Sequence, residues 1–280
     1  MQQLSYGEEI PFYIFCSTEN LKFIGDTWPY QCNYGLWDYV SYTPYNYSSE
    51  PVTPENPVNP IEPAPEPEEG ETKSWSFDTM PEGWNVWTNV GVDGIGYYGV
   101  KEGHLLLFND SYCTTSKIEY ATPVGYGKYS WKLRLPKLGG PEKFMAGGTL
   151  YTSSESNGPH TLTIVGWYGS ETERTRLGAK AGDLLLRIYS EIPFLDRNVM
   201  ILKPDTDYKL SIELKKVNGK YVIVYAVDDA VIQTLPANYG EEKVKFLFIA
   251  SAESNRVWMP GNPLSKKYVA QFDTIEYTAY

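Results

Sequence analysis

Tyr126-Gly127-Lys128-Tyr129-Ser130-Trp131-Lys132-Leu133-Arg134-Leu135-Pro136 is the stretch whose reading decides the fold. Tyr129, Trp131, Leu133 and Leu135 fall on every second position, with Ser130, Lys132 and Arg134 between them. Side chains alternate across a strand, so this period of two predicts a strand with one face in a core and a cationic opposite face. We take that opposite face to be the concave, ligand-facing side. Gly127 and Pro136 punctuate the two ends. The same alternation recurs at His104 to Phe108, Thr161 to Tyr168, Leu184 to Tyr189, Tyr208 to Leu214, Tyr221 to Val227 and Val244 to Ala250. Asn218-Gly219 between two such runs is a strong hairpin signal, and Asp228-Asp229 closes the next turn. No ten-residue stretch carries a helical period. Glu171 and Glu173 alternate with Arg174 and Arg176, which reads as a solvated edge or loop. Roughly two hundred residues of such strands predict an all-β, two-sheet sandwich over 73–280.

The rest of the chain is different in kind. Prolines stand at every third position from Pro51 to Pro63 (Pro51, Pro54, Pro57, Pro60, Pro63), and seven glutamates lie between Glu50 and Glu71. Polyproline II has about three residues per turn, so the prolines stack along one ridge of a stiff left-handed helix. Of the other ridges, one carries Val52, Glu55, Val58 and Ile61 and the other Thr53, Asn56, Asn59 and Glu62. Residues 49–72 therefore read as an acidic Pro/Glu-rich linker, either a semi-rigid tether or a strap laid along a partner. Residues 1–48 are rich in aromatics, Trp28 and Trp37 among them, with Pro, Gly and Asn between short β-prone runs. So short a segment buries little core alone, and Tyr and Trp are enriched at interfaces. Two readings stand: an anchor that completes its fold on another subunit, or a small β-subdomain packed on the main one.

The composition excludes several classes. Net charge is −11 with 42% hydrophobic residues, and the linker glutamates leave about −4 for the remainder. With no basic patch interleaved with aromatics, nucleic acid is not an expected partner. No apolar run is long enough to span a membrane, and the opening residues lack a secretory pattern. Cys16, Cys32 and Cys113 fit no zinc spacing. They read as a Cys16–Cys32 bridge or as ordinary thiols. No Ser-His-Asp set, phosphate loop or redox-cofactor motif is present, and His104 and His160 fit no lyase pattern.

The quoted stretch resembles the Tyr-Gly-Arg-Phe-Glu-Ala-Arg-Ile-Lys-Leu-Pro strand of glycoside hydrolase family 16, a member of the concanavalin A-like lectin/glucanase superfamily. Further landmarks follow in family order: Trp75-Ser76-Phe77-Asp78, Glu102-Gly103-His104-Leu105, Val227-Asp228-Asp229 and Phe272-Asp273-Thr274-Ile275-Glu276-Tyr277. The resemblance covers the chain from about residue 75 to its end and implies a concanavalin A-like jelly-roll β-sandwich. Family chemistry uses Glu-x-Asp-x-x-Glu, because retaining hydrolysis needs two carboxyls about 5 Å apart. Here Thr161, Thr163 and Gly166 stand in the three carboxylate positions, so no catalytic residue is expected. A regular ladder would turn Thr161, Thr163, Val165 and Trp167 to the ligand face; a family-type bulge would present Gly166 and Tyr168 instead.

Trp258, in Asn255-Arg256-Val257-Trp258-Met259-Pro260-Gly261, resembles the loop that carries a sugar-stacking tryptophan in the family, and Thr149 stands where a cleft aromatic is common. The expected carbohydrate-binding set is Trp167, Tyr168 and Trp258 with Lys132 and Arg134; the alternative is that the aromatics fill the sandwich rim. The resemblance also implies a structural calcium on Asp78 and Asp273, with the Glu102-Gly103 turn as a third contributor; it is the one cofactor the resemblance suggests. The expected function is a non-catalytic, lectin-like surface protein, held on a virion or another extracellular surface through residues 1–71 and a capsid or other protein partner. A hydrolase or lyase with an atypical site, and a purely architectural decoration protein, are the alternatives.

Overall fold

The computed structural model describes residues 70–89, 97–110, 115–154, 158–237 and 245–280. Expectations for the 1–48 module, for the linker up to residue 69 (Trp28, Trp37, Pro51, Pro54, Pro57, Pro60, Pro63) and for the three cysteines lie outside the described residues. Among those described, fifteen strands and one helix alternate in chain order: β1 (Thr72–Ser76), β2 (Trp84–Asn89), β3 (Tyr97–Lys101), β4 (His104–Asn109), β5 (Thr115–Tyr120), β6 (Gly127–Arg134), β7 (Phe144–Ser154), β8 (Gly158–Trp167), α1 (Glu171–Leu177), β9 (Leu184–Ser190), β10 (Leu195–Leu202), β11 (Asp207–Val217), β12 (Lys220–Val227), β13 (Ala230–Pro236), β14 (Leu247–Ser254) and β15 (Tyr268–Ala279).

They form two antiparallel sheets. One has the order β13-β12-β11-β6-β15-β4-β3, with β1 also on β15; the other runs β10-β9-β8-β7-β14-β5-β2. The opening and closing motifs meet here, Trp75 opposite Ile275. Three two-residue turns join neighbouring strands of the eight-stranded sheet, at Glu102-Gly103, Asn218-Gly219 and Asp228-Asp229, and all six residues have positive φ. That is the backbone of the hairpin turns whose twist matches the strands.

The core lies between the sheets. Tyr129, Trp131, Leu133 and Leu135 are all buried in it, as their alternation predicts. The Trp131 indole N–H donates to the Ile249 carbonyl (3.0 Å) and the Tyr225 hydroxyl to the Tyr189 carbonyl (2.7 Å), each tying one sheet to the other. Buried Trp and Tyr need such partners. Two glycines of the seven-stranded sheet make room for large side chains opposite: a Cβ at Gly148 would overlap the Trp131 ring, and one at Gly166 would overlap Leu135.

The Glu171 to Arg176 segment is a helix, not the edge or loop expected. Ser170 caps it, accepting from the Glu173 N–H (3.3 Å), and Gly178 ends it at φ 73°.

Candidate functional site

Leu162 and Ile164 of β8 are buried in the core and Gly166 abuts Leu135, so Thr161, Thr163, Val165 and Trp167 turn to the outer face of the seven-stranded sheet. The β7–β8–β9 registers run without a shift. Of the two expected arrangements, the regular ladder is the one observed. Gly166 is therefore corrected: it faces the core, and Val165 takes the third outward position. None of Thr161, Thr163 and Val165 ionises.

Strand pairing brings Arg187 opposite Val165 and Asn198, and Tyr189 opposite Thr163 and Asp196. Arg187 Nε and Nη2 donate to the two carboxylate oxygens of Asp196, both at 2.8 Å. The guanidinium is surrounded by rings, 5.2 Å from the centroid of Trp167, 5.2 Å from Tyr189 and 5.0 Å from Trp258. A cation among ring faces is favoured by their quadrupoles, and the paired Asp196 fixes its plane. Trp167 and Trp258 are 6.2 Å apart, and the Trp167 N–H donates to Asn198 Oδ1 (2.6 Å). Phe194 meets the Tyr189 ring edge-on at 6.2 Å and is 76% exposed. Burial pushes the Tyr189 phenol pKa up, and nearby Glu191 adds to it.

Trp258 reaches this cluster on a well-anchored loop. Asn255 takes positive φ, its amide donates to the Asp110 carbonyl (2.9 Å), and its oxygen accepts from the Leu264 N–H (2.9 Å). Met259 then inserts against Met145 and Val165, forming a small second cluster on the outer face with Trp167 at its margin. Burying one such side chain stabilises by about 1.5–3 kcal/mol. Trp258, next in sequence, stays 53% exposed. Beside the rings, a hollow of about 480 Å³ is lined by Trp167, Ser170, Glu173, Arg176, Asp196, Arg197 and Asn198.

Among the described residues, four acidic groups on and beside this face are engaged. Asp196 holds Arg187, Glu253 accepts from Arg256 (3.0 Å), Glu119 from Lys117 (3.3 Å), and Glu191 from the Thr161 N–H (2.6 Å). Thr149 sits opposite Thr163, their hydroxyls 3.4 Å apart.

Three expected site residues lie elsewhere. Tyr168 packs toward the main core beneath Arg174, whose guanidinium is 3.9 Å from its ring centre, and its hydroxyl donates to Glu171 (3.0 Å). One residue beyond outward-facing Trp167, it takes the other side of the chain. Lys132 and Arg134 are on the other sheet. β6 pairs with β11 and β15, so its outward face belongs to the eight-stranded sheet, across the core from Trp167. There Lys132 contacts Asp273 Oδ2 (2.5 Å), and Arg134 forks onto Asp207 (2.9 and 2.7 Å). These hydrogen bonds raise the pKa values of both cations.

The Lys132 contact bears on calcium as well. Asp273 already faces an ammonium, with His104 Nε2 3.8 Å from its other oxygen. Among the described residues, no group of three or more His, Cys, Asp or Glu gathers to hold a metal. Calcium takes six to eight oxygens, so a calcium on Asp78 and Asp273 would draw most of its ligands from backbone carbonyls and water, and would compete with Lys132 for Asp273.

Several solved structures resemble this fold. A protein described with endo-acting O-glycanases of the human gut microbiota matches at TM-score 0.56 and 13% identity, over 74% of this chain and 98% of that one. A non-specific endo-β-1,3(4)-glucanase of family GH16 matches at TM-score 0.55 and 10% identity, over 78% and 98%. A prokaryotic lichenase from a mouse hindgut metagenome gives 0.51 and 13%, over 74% and 98%. The fold is glucanase-like. The concanavalin A-like jelly roll expected from the motifs is thus the observed architecture. No family profile matches the chain, and neither does any curated protein. Among the described residues, no helix of this glucanase-like domain is long and apolar enough to cross a membrane.

Arg187, Tyr189, Asp196 and Phe194 were not singled out from the sequence. Alternation in Leu184 to Tyr189 puts Leu185, Arg187 and Tyr189 on one face, which was the available signal. Only the β8–β9 register joins that face to Trp167.

Proposed function

We propose that this protein is a non-catalytic glycan-binding protein whose contact surface is the ring cluster of Trp167, Tyr189, Phe194 and Trp258 around Arg187. The observation that carries this reading is the pairing of exposed aromatic faces with an outward β8 row, Thr161, Thr163 and Val165, that has no carboxylate. Aromatic rings pack on the C–H faces of sugars, while Arg187, Asn198 and the polar hollow beside Trp167 offer hydrogen bonds to hydroxyls. The solved neighbours named as glucanases and O-glycanases make a polysaccharide the natural ligand class. Hydrolysis is disfavoured because nearby carboxylates are committed to Arg187, Arg256, Lys117 and a backbone N–H.

Residues 1–71 would hold this surface on a larger assembly, a virion or another extracellular surface, through a protein partner. The aromatic richness of 1–48 and the proline repeat of 49–72 support that role.

An architectural role has one observation in its favour: Met259 and Trp167 fill the middle of the face. A glycan array with the full-length protein, joined to a reducing-sugar release assay, separates the readings. We expect saturable binding without sugar release, weakened at least about tenfold, ~1.4 kcal/mol, by Trp258→Ala. Sugar release would establish an enzyme, and silence on every glycan would favour architecture.

A further inference from the structure

A second recognition site lies on the other sheet. β6 and β15 pair as far as Arg134 opposite Gln271; beyond that, β15 continues against β4 to Tyr268 while the chain after β6 departs through Leu135, Pro136 and Lys137. The splay opens a cleft of about 400 Å³. Its walls carry Arg134, Lys137, Lys266 and Lys267, with Asp205 the only acidic residue among the described lining side chains. In a chain of net charge −11, this is a local reversal of sign. The Asp207 pair uses Arg134 Nε and Nη2, leaving Nη1. Counting that pair as neutral, Lys137 and Lys266 alone outnumber Asp205.

The cleft is also held in shape. Lys266 and Lys267 follow Ser265, whose N–H and hydroxyl donate to buried Glu142 (2.8 and 2.5 Å). Tyr268 donates its hydroxyl to the same carboxylate and accepts from the Gly139 N–H (2.8 Å), which also donates to Glu142 (3.0 Å). One buried carboxylate thus ties the lysine-bearing segment to the 139–142 turn. The ammonium groups rest over ring faces, Lys266 5.3 Å from Tyr268 and Lys267 5.1 Å from Phe108. Preorganised cations lose less entropy on binding.

We propose that this cleft binds a sulfate- or carboxylate-bearing unit of an acidic saccharide. Its volume falls in the range of small-molecule sites, larger than a bare anion requires. Pro136 and Gln271 add apolar and amide surface beside the cations. The site is independent of the Trp258 cluster.

The test is calorimetric titration of the full-length protein with a sulfated oligosaccharide, its unsulfated counterpart, and inorganic sulfate and phosphate, at low and high salt. The sulfated form is expected to bind saturably and to weaken at high salt, with the unsulfated form silent. Lys266→Gln/Lys267→Gln, which leaves Glu142 and its partners in place, should reduce affinity at least about tenfold at unchanged melting temperature, whereas Trp258→Ala should have no effect. Four outcomes would overturn the proposal: no binding, binding indifferent to the double substitution, loss on Trp258→Ala, or equal affinity for inorganic sulfate or phosphate.

Discussion

Glu142 is a carboxylate the sequence did not mark, and its surroundings explain its charge. It is 5% exposed. Burial pushes its pKa up, yet hydrogen bonds from Ser265, Tyr268 and Gly139 together outweigh that and hold it below the usual carboxylate range. A depressed folded pKa contributes stability above the ordinary carboxylate pKa, and that contribution is lost as pH falls through the folded value. Glu142→Gln leaves one amide oxygen for donors that two carboxylate oxygens served. It should cost about 2–3 kcal/mol near pH 7, with the gap to wild type narrowing near pH 3. Urea unfolding at both pH values checks this; a pH-independent gap would remove the charge from the account. Gly166 shows the opposite limit of legibility. Its place in the motif suggested an outward position, but only the approach of Leu135 from the other sheet reveals what the missing side chain accommodates.

At the scale of elements, α1 was invisible to periodicity because seven residues make barely two turns. Its boundaries were nonetheless written in the chain, as Ser170 three residues before Glu173 and Gly178 just past the end. What anchors it is Arg174, buried at 4% exposure and donating to the carbonyls of Tyr168 (3.0 Å), Asp183 (2.8 Å) and Lys180 (2.7 Å). Lysine presents a point charge where this site uses a planar fork. Arg174→Lys should therefore destabilise by about 2 kcal/mol, since buried carbonyls lose their donors. Thermal unfolding reads the loss directly. A variant as stable as wild type would mean that water replaces the fork. The hairpins were more legible: Asn218-Gly219 sets its own turn through local backbone preference, and the structure keeps it.

For the whole molecule, the first described strand begins at Thr72, and the backbones of Gly70 and Glu71 already bond to Ala279 (2.7 and 3.2 Å). Removing residues 1–69 is therefore expected to leave a sandwich that unfolds cooperatively at the wild-type temperature, while incorporation into the proposed assembly is lost. Scanning calorimetry and co-purification with assembled particles measure the two effects. Normal incorporation of the truncated chain would end the anchoring proposal. Alternation of apolar and polar residues by itself determined the strands, their buried faces and the all-β class, because a period of two is a local property of a pleated chain. Only the tertiary structure decided which sheet each strand joined. β6 finds β11 and β15, whereas β8 finds β7 and β9. That separation sends Lys132 and Arg134 across the core from Trp167 and gathers Arg187, Tyr189 and Asp196 in their place. Pairing between distant strands is chosen by the packing of the whole core, so a residue's face can be read along its own strand, but its neighbours across the sheet cannot.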